Sequence, residues 1–216
     1  MLRVLTLTAC LAGPAAACET ALVLAIDISG SIDRNEYRLQ MQGLADALES
    51  PEIAETLVAD RVELALVHWS GPIWHKMTLP WQQMRTRADV ARFAEIARSM
   101  PRPFDSSDTS IGQALRFAAT QFAAVPDCER KVIDVSGDGE ENAGFTLKSA
   151  LVEMQDLGIT VNAIAIEEAG GISPITTYFR RFGITRDGFV VTAFGVDDYP
   201  RAIRLKLLRE LAKLTS

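Results

Sequence analysis

The feature that most constrains the fold is an unbroken apolar run that ends in an acidic, hydroxyl-rich turn. Residues 21–26 read ALVLAI, and Asp27, Ser29, Gly30 and Ser31 follow directly. A continuous apolar run of this length is typical of a strand buried on both faces of a parallel sheet. Open α/β folds bind ligands just beyond the carboxyl ends of such strands. The turn therefore predicts hard oxygen donors at a ligand-binding edge, which suit a magnesium ion.

The rest of the chain alternates between strand-like and helix-like segments. This alternation predicts one α/β domain with a mainly parallel sheet, spanning residues 18–216. The short Ser-Gly-Pro turn at 70–72 predicts an antiparallel hairpin whose second strand lies at the sheet edge. The further predicted strands are 61–69, 73–79, 131–135, 159–166 and 189–194. The predicted helices are 33–49, 52–58, 86–100, 111–122, 142–157, 173–182 and 199–214.

The first 17 residues have the pattern of a secretory signal peptide. A short positive start is followed by an apolar stretch and by three small residues, Ala15, Ala16 and Ala17. The apolar stretch is too short to span a bilayer. We therefore expect an exported protein, periplasmic or secreted, that begins at Cys18 after cleavage. A lipid anchor on Cys18 is the alternative, although Ala15 stands where a larger aliphatic residue is usual.

Two cysteines remain once the signal segment is removed. Cys18 and Cys128 lie at almost equal distances before Asp27 and Asp138. If both segments are neighbouring parallel strands that end at one edge, then both cysteines begin at the opposite edge. Because the exported compartment is oxidising, this arrangement predicts a Cys18–Cys128 disulfide. Two unpaired thiols are the alternative.

The overall composition excludes some classes of function. The formal net charge is −6, which argues against a nucleic-acid partner. Hydrophobic residues make up 48% of the chain, enough for a packed core. The sequence contains no P-loop, no dinucleotide-binding G-x-G-x-x-G and no G-x-S-x-G. It therefore offers no basis for nucleotide-cofactor or serine-hydrolase chemistry.

Three separate loops at predicted strand ends carry oxygen donors. Asp27, Ser29 and Ser31 form a D-x-S-x-S pattern, Thr109 lies in a polar loop, and Asp138 lies in a Gly-rich turn. In this order and spacing the sequence resembles the von Willebrand factor A-type domain, the fold shared by integrin I domains. The resemblance covers nearly the whole chain after the signal segment. Five matching positions in three loops are a far stronger signal than D-x-S-x-S alone.

The resemblance implies a fold and a site. It implies a doubly wound, six-stranded α/β sheet of order 3-2-1-4-5-6, with one antiparallel edge strand and helices on both faces. It also implies a metal-ion-dependent adhesion site (MIDAS), in which Ser29 and Ser31 bind the ion directly through their hydroxyls. Thr109 would bind directly in the ligand-occupied state, and Asp27 and Asp138 would act largely through water. One departure is Gly137, where many relatives have a Thr.

The function implied is metal-dependent protein binding rather than catalysis. Neutral hydroxyls around Mg²⁺, with Mn²⁺ or Ca²⁺ as alternatives, leave its charge poorly neutralised, so the ion attracts an acidic side chain of a partner protein. Neither a nucleic acid nor a membrane is expected as a partner. Three other interpretations stay open: a metal-assisted hydrolase, a structural domain with an empty site, and residues Asp27, Ser29 and Ser31 that merely cap the next helix.

Four further features have a structural and a functional interpretation. His68 and His75 are expected to be packing or surface residues rather than a zinc or catalytic pair. The last helix is expected to cover the sheet rather than bind a membrane surface. The acidic residues near the site are expected to be solvated rim charges; they are Asp33, Asp105, Asp108, Glu140 and Glu141. The stretch 167–187 is either a partner-specific surface or an ordinary crossover.

Overall fold

One six-stranded sheet runs through the part of the chain that the computed structural model describes, residues 18–167 and 174–212. The strands are β1 (Thr20–Asp27), β2 (Glu63–Trp69), β3 (His75–Gln83), β4 (Arg130–Gly137), β5 (Ile159–Glu167) and β6 (Val190–Phe194). Their order is β3-β2-β1-β4-β5-β6, with β3 antiparallel to β2 and all other neighbours parallel. This confirms the predicted sheet. The predicted signal segment 1–17 and residues 168–173 lie outside the described residues.

Helices cover both faces of the sheet. They are α1 (Arg34–Glu49), α2 (Pro51–Ala59), α3 (Arg87–Ser99), α4 (Ile111–Gln121), α5 (Leu147–Asp156), α6 (Pro174–Tyr178) and α7 (Tyr199–Leu211). Successive strand side chains point to opposite faces, so β1 supplies both cores. Its residues Leu22, Leu24 and Ile26 pack under α1, α2, α3 and α7. Its smaller residues Ala21, Val23 and Ala25 pack under α4 and α5.

The predicted disulfide is present at the edge of the sheet opposite the end of β1. Cys18 and Cys128 are bonded, and both residues are buried. The flanking backbone is paired as well, because Glu129 N donates to the carbonyl of Cys18 at 3.2 Å. The bond therefore joins the segment that enters β1 to the segment that enters β4.

Strand β3 and helix α5 begin later than the sequence predicts, each for a local reason. The edge strand β3 begins at His75, because residues 70–74 close a turn in which Ser70 N donates to the carbonyl of Trp74 at 2.8 Å. Helix α5 begins at Leu147 rather than at Asn142. The intervening residues Gly144 and Phe145 have φ of +81° and +48°, in the left-handed region that a right-handed helix does not use.

The two histidines pack on opposite faces of the sheet. His68 is fully buried, with Nδ1 at 2.8 Å from the hydroxyl of Thr78 and Nε2 at 3.2 Å from that of Tyr37 in α1. Burial lowers the pKa of His68 to about 3, so its ring is neutral. His75 instead stacks on Phe117 of α4, with ring centroids 4.4 Å apart. The pair therefore has the predicted packing role and does not converge on one site.

Helix α7 also has the predicted structural role. Its buried residues Ile203 and Leu207 belong to the same core as α1 and α2. Within the described residues, no helix is both long enough and apolar enough to cross a membrane.

Candidate metal centre

The first part of the site is the turn that leaves β1. Asp27 is fully buried, and its Oδ1 accepts a hydrogen bond from Ser29 N at 2.8 Å. Its Oδ2 is buried without a hydrogen-bond partner among the described residues. The turn then enters α1 through a capping box, in which Asp33 accepts from Glu36 N and Glu36 accepts from Asp33 N. The chain therefore turns between Asp27, where β1 ends, and Arg34, where α1 begins.

The turn after β4 brings a second carboxylate to the same place. Because β4 pairs with β1 in parallel, the two strands end side by side. Ser31 Oγ donates to Asp138 Oδ1 at 2.6 Å, and the hydroxyl oxygens of Ser29 and Ser31 lie 3.3 Å apart. A Cβ on Gly137 would lie 3.0 Å from Asp27 Oδ2, so glycine keeps the space beside that oxygen open.

Thr109 completes the set from the loop before α4. It is buried, and its N–H donates to Asn142 Oδ1 at 2.8 Å. Its carbonyl accepts from Asn142 N at 3.0 Å and from Ala143 N at 3.1 Å. Its hydroxyl faces the turn after β4, because a Cβ on Gly139 would lie 3.8 Å from Thr109 Oγ1. The three loops predicted to share one site therefore converge at one edge of the sheet.

The electrostatics of this edge favour a bound cation. Burial raises the pKa of Asp27 to about 8, and the negative charge of Asp138 contributes to this rise. The Ser29 amide and the Arg102 guanidinium act in the opposite direction. A buried carboxylate with one unpartnered oxygen is costly unless a positive charge stands near it. Two carboxylates and three hydroxyls supply the hard oxygen donors that Mg²⁺ and Mn²⁺ prefer. The residues present therefore fit a divalent metal ion.

Hydroxyls are essential to this interpretation. In residues 18–167 and 174–212, no group of three or more His, Cys, Asp or Glu side chains is arranged to hold a metal ion. The candidate set contains two acidic residues only, Asp27 and Asp138. This edge therefore does not resemble a zinc site built from imidazoles and thiolates.

Arg102, which sequence reasoning missed, fixes the loop that carries the two serines. Its Nη1 donates to the carbonyl of Ile32 at 2.6 Å, and its Nη2 donates to the carbonyls of Ile28 at 2.6 Å and of Ser29 at 3.2 Å. Its Nε lies 3.3 Å from Asp105 Oδ1. The one signal in the sequence is an arginine between two prolines, Pro101 and Pro103, and that pattern does not indicate a role.

Three of the five acidic residues near the site also make structural contacts. Asp33 caps α1, and Asp105 pairs with Arg102. Glu141 joins two helix starts, since its Oε1 accepts from Gly112 N and its Oε2 accepts from Leu147 N, each at 2.9 Å. Asp33, Asp105, Asp108 and Glu140 are all exposed, as the rim interpretation predicts, and Glu141 is half-buried.

Comparison with solved structures identifies the class to which this fold belongs. It is the α/β fold of the von Willebrand factor A-type domains. Proximal thread matrix protein 1 from the mussel byssus aligns with a TM-score of 0.65 at 20% identity, over 88% of this chain and 47% of that one. A von Willebrand factor type A protein from Catenulispora acidiphila aligns with a TM-score of 0.64 at 17% identity, over 89% and 43%. This chain thus spans less than half of either protein.

Residues 17–215 match the model of the family described as "Protein of unknown function (DUF1194)", and the chain belongs to that family. Among curated proteins, there is no match to the sequence.

Two of the similar structures contain metal. A structure of the mussel protein described as having a zinc-occupied MIDAS motif aligns with a TM-score of 0.60 at 17% identity, over 89% of this chain and 46% of that one. The manganese-loaded TRAP protein of Plasmodium vivax aligns with a TM-score of 0.59 at 16% identity, over 90% and 73%. At these identities the likeness establishes the fold alone.

Proposed function

We propose that this chain is a divalent-metal-dependent protein-binding module of adhesion type, exported to the periplasm or secreted, and not an enzyme. In this proposal residues 1–17 are a removed signal peptide and residues 18–216 are the binding domain. The observation that carries the proposal is the convergence of five oxygen-donor residues from three loops: Asp27, Ser29, Ser31, Thr109 and Asp138. The zinc and manganese held by two similar structures support a divalent ion.

Each residue of the site has a distinct role in this proposal. Ser29 and Ser31 hold Mg²⁺ directly, and Thr109 joins them when a partner is bound. Asp27 and Asp138 hold it through water and offset its charge. The bound ion supplies a positive charge that recruits an Asp or Glu side chain of the partner protein. The disulfide fits the proposed export, because such bonds persist in oxidising compartments.

Metal binding should raise the thermal stability of the oxidised protein. An ion that binds only the native state stabilises it by about 2.7 kcal/mol at a concentration 100 times Kd. For a chain of this size we therefore expect Tm to rise by about 5 to 10 °C when Mg²⁺ or Mn²⁺ replaces EDTA. Replacing Ser29 by Ala removes a direct ligand and should reduce the rise to less than about 2 °C. Differential scanning calorimetry measures both shifts.

A matched control is Ser99→Ala. Ser99 is an exposed serine on α3 whose hydroxyl donates to the carbonyl of Glu95. This variant should keep the full metal-dependent rise. Equal rises in Ser29→Ala and in the wild type would place the ion elsewhere. If none of Mg²⁺, Mn²⁺, Ca²⁺ and Zn²⁺ raises the Tm, the proposed function is contradicted.

Replacing Arg102 by Met should weaken metal binding although Arg102 is not itself a proposed ligand. Without the guanidinium, the carbonyls of Ile28 and Ile32 lose the hydrogen bond from Arg102, the Ser29 carbonyl keeps its bond from Ile32 N, and the loop samples other positions. Loss of a residue that orients metal ligands commonly costs about 10- to 100-fold in affinity. We expect a change of about 10-fold in the Mg²⁺ Kd, measured by isothermal titration calorimetry.

The conservative variant separates positioning from a general loss of stability. Arg102→Lys keeps the positive charge but offers a single nitrogen, so its Kd should fall between those of the wild type and Arg102→Met. Circular dichroism should show that all three proteins are folded at the titration temperature. A Kd equal to that of the wild type in Arg102→Met would contradict the positioning role.

A further inference from the structure

Large apolar side chains stand exposed beside the candidate metal centre. Ile73 is 80% exposed, Phe145 is 81% exposed and Trp74 is 44% exposed. The ring of Trp74 lies 5.5 Å from that of Phe104, which is partly buried. We call Ile73, Trp74, Phe104 and Phe145 the apolar rim. Exposed aromatic and aliphatic groups that lie together on a polar surface commonly mark an interaction site.

The apolar rim is connected to the candidate metal centre through hydrogen bonds between their loops. The turn that carries Ile73 and Trp74 is fixed on one side of Thr109: Ser70 Oγ donates to the carbonyl of Asp108 at 2.7 Å, and Ser110 N donates to the carbonyl of Ser70 at 2.9 Å. The loop that carries Phe145 is fixed to Thr109 itself, through Asn142 and Ala143. Both sources of exposed apolar surface are therefore anchored to the loop that supplies one proposed ligand.

The two loops also meet each other. A Cβ on Gly144 would lie 3.9 Å from Cγ of Pro72, which precedes Ile73. The turn after β2 and the loop before α5 thus form one contiguous surface rather than two isolated patches.

Phe145 is held outward in an unfavourable backbone conformation. Its φ of +48° is unusual for a bulky residue, and it follows Gly144 at +81°. With 81% of its surface exposed, its ring gains little from packing within the chain. Strained backbone conformations are concentrated at sites that bind ligands, and this strain is not offset by packing within the chain.

We propose that the partner of the metal centre is a protein segment with a single acidic side chain flanked by large apolar residues. This rests on the proposed function. The carboxylate reaches the metal while its apolar neighbour covers the rim. Asp108 and Glu140 are exposed on the same loops as Thr109 and Asp138. They repel a run of acidic residues, so charge complementarity favours an isolated carboxylate over a polyacidic segment.

Four short blocked peptides test the proposal against the Mg²⁺-loaded protein. Their central residues are Leu-Glu-Leu, Gly-Glu-Gly, Glu-Glu-Glu and Leu-Gln-Leu, each between terminal glycines. Leucine on both sides of the glutamate covers either chain direction. Binding is measured by ¹H–¹⁵N NMR titration. Because apolar burial adds to the carboxylate contact, we expect Leu-Glu-Leu to bind about 10-fold more tightly than Gly-Glu-Gly. Glu-Glu-Glu should bind no better than Gly-Glu-Gly, and Leu-Gln-Leu should not bind.

Variants locate the apolar contribution. Ile73→Asn combined with Phe145→Asn removes the two most exposed side chains of the rim, and asparagine tolerates the left-handed backbone at 145. This double variant should lose the preference for Leu-Glu-Leu and keep its Mg²⁺-dependent rise in Tm. The matched control is Leu157→Asn, which removes a 61% exposed apolar residue at the opposite edge of the sheet, just before β5. The control should bind all four peptides as the wild type does.

The outcomes distinguish failure of this proposal from failure of the proposed function. Three results would overturn the proposed partner if the Mg²⁺-dependent rise in Tm is still observed. They are equal binding of Leu-Glu-Leu and Gly-Glu-Gly, an unchanged preference for Leu-Glu-Leu in the double variant, and no binding by any peptide. If Mg²⁺ does not raise the Tm of the wild type, the proposed function itself is overturned. A Mg²⁺-dependent dimer in light scattering that the double variant abolishes would show that a second copy of this chain covers the rim, and would also overturn the assignment.

Discussion

Replacing Lys206 by Met is expected to lower the free energy of unfolding by about 3 kcal/mol at pH 8. Lys206 is a fully buried residue of α7, and its ammonium group contacts Asp134 Oδ1 and lies 3.2 Å from Glu210 Oε2. The exposed fractions of the Asp134 and Glu210 side chains are 3% and 1%. Removing the cation leaves two buried carboxylates facing each other, which is far costlier than losing a surface ion pair. Urea denaturation measures the difference.

The penalty should depend on pH in a defined direction. Burial raises the pKa of Asp134 to about 7, and Lys206 partly offsets this rise. Without Lys206 the pKa of Asp134 in the folded variant moves higher still. A carboxyl whose pKa is raised by folding stabilises the native state at low pH and loses that contribution as pH rises through its folded pKa. The destabilisation of Lys206→Met should therefore be smaller at pH 5 than at pH 8.

Two further variants show whether the buried ions are the cause. Arg204→Met removes an exposed cation from the same helix, where it pairs with Glu52 at 3.4 Å, and it should cost less than about 1 kcal/mol. Combining Lys206→Met with Asp134→Leu removes both members of that ion pair and should recover much of the stability. Glu210 keeps its contacts with Asn162 and Arg130 in that double variant. Equal losses in Lys206→Met and Arg204→Met would contradict the argument.

The sheet could be predicted because its signals are local and redundant. The apolar run before Asp27 fixes a strand buried on both faces, and the turn at 70–72 fixes an antiparallel edge. The convergence of the loops that carry the five proposed ligands could be predicted because parallel neighbours end at one edge, which brings Asp138 to Ser31 across a sequence separation of 107. The order of all six strands came from the family resemblance and not from periodicity.

What could not be predicted depends on contacts between distant segments. Lys206 is one of several cations in its helix, lysine is seldom fully buried, and the burial of Lys206 depends on Asp134 in another element. Asp134 in turn lies between two apolar residues of β4, Ile133 and Val135, so the sequence does not mark it as the partner of a lysine. The later start of α5 depends on Asn142, whose side chain and backbone bond Thr109 instead of extending the helix. The exposed Phe145 lies in the same loop, so the missed helix start and one part of the apolar rim occur together.

Removing the disulfide is expected to lower the free energy of unfolding by about 4 kcal/mol. The bond closes a loop with a sequence separation of 110 residues, and cross-links that close long loops restrict the unfolded chain most. The test is the double variant Cys18→Ser/Cys128→Ser, since a single replacement would leave a reactive thiol. Its urea midpoint should fall, and its m-value should rise because the unfolded chain becomes more expanded.

The wild type treated with reductant provides the matched comparison, because its folded contacts match those of the oxidised protein except for the bond itself. Reduced wild type and the double variant should unfold at similar midpoints, well below that of the oxidised protein. The metal-dependent rise in Tm should survive in the double variant if it is still folded, because the cysteines lie at the edge opposite to Asp27. A loss below about 1 kcal/mol would contradict the chain-entropy argument and would indicate that the unfolded state is compact without the bond.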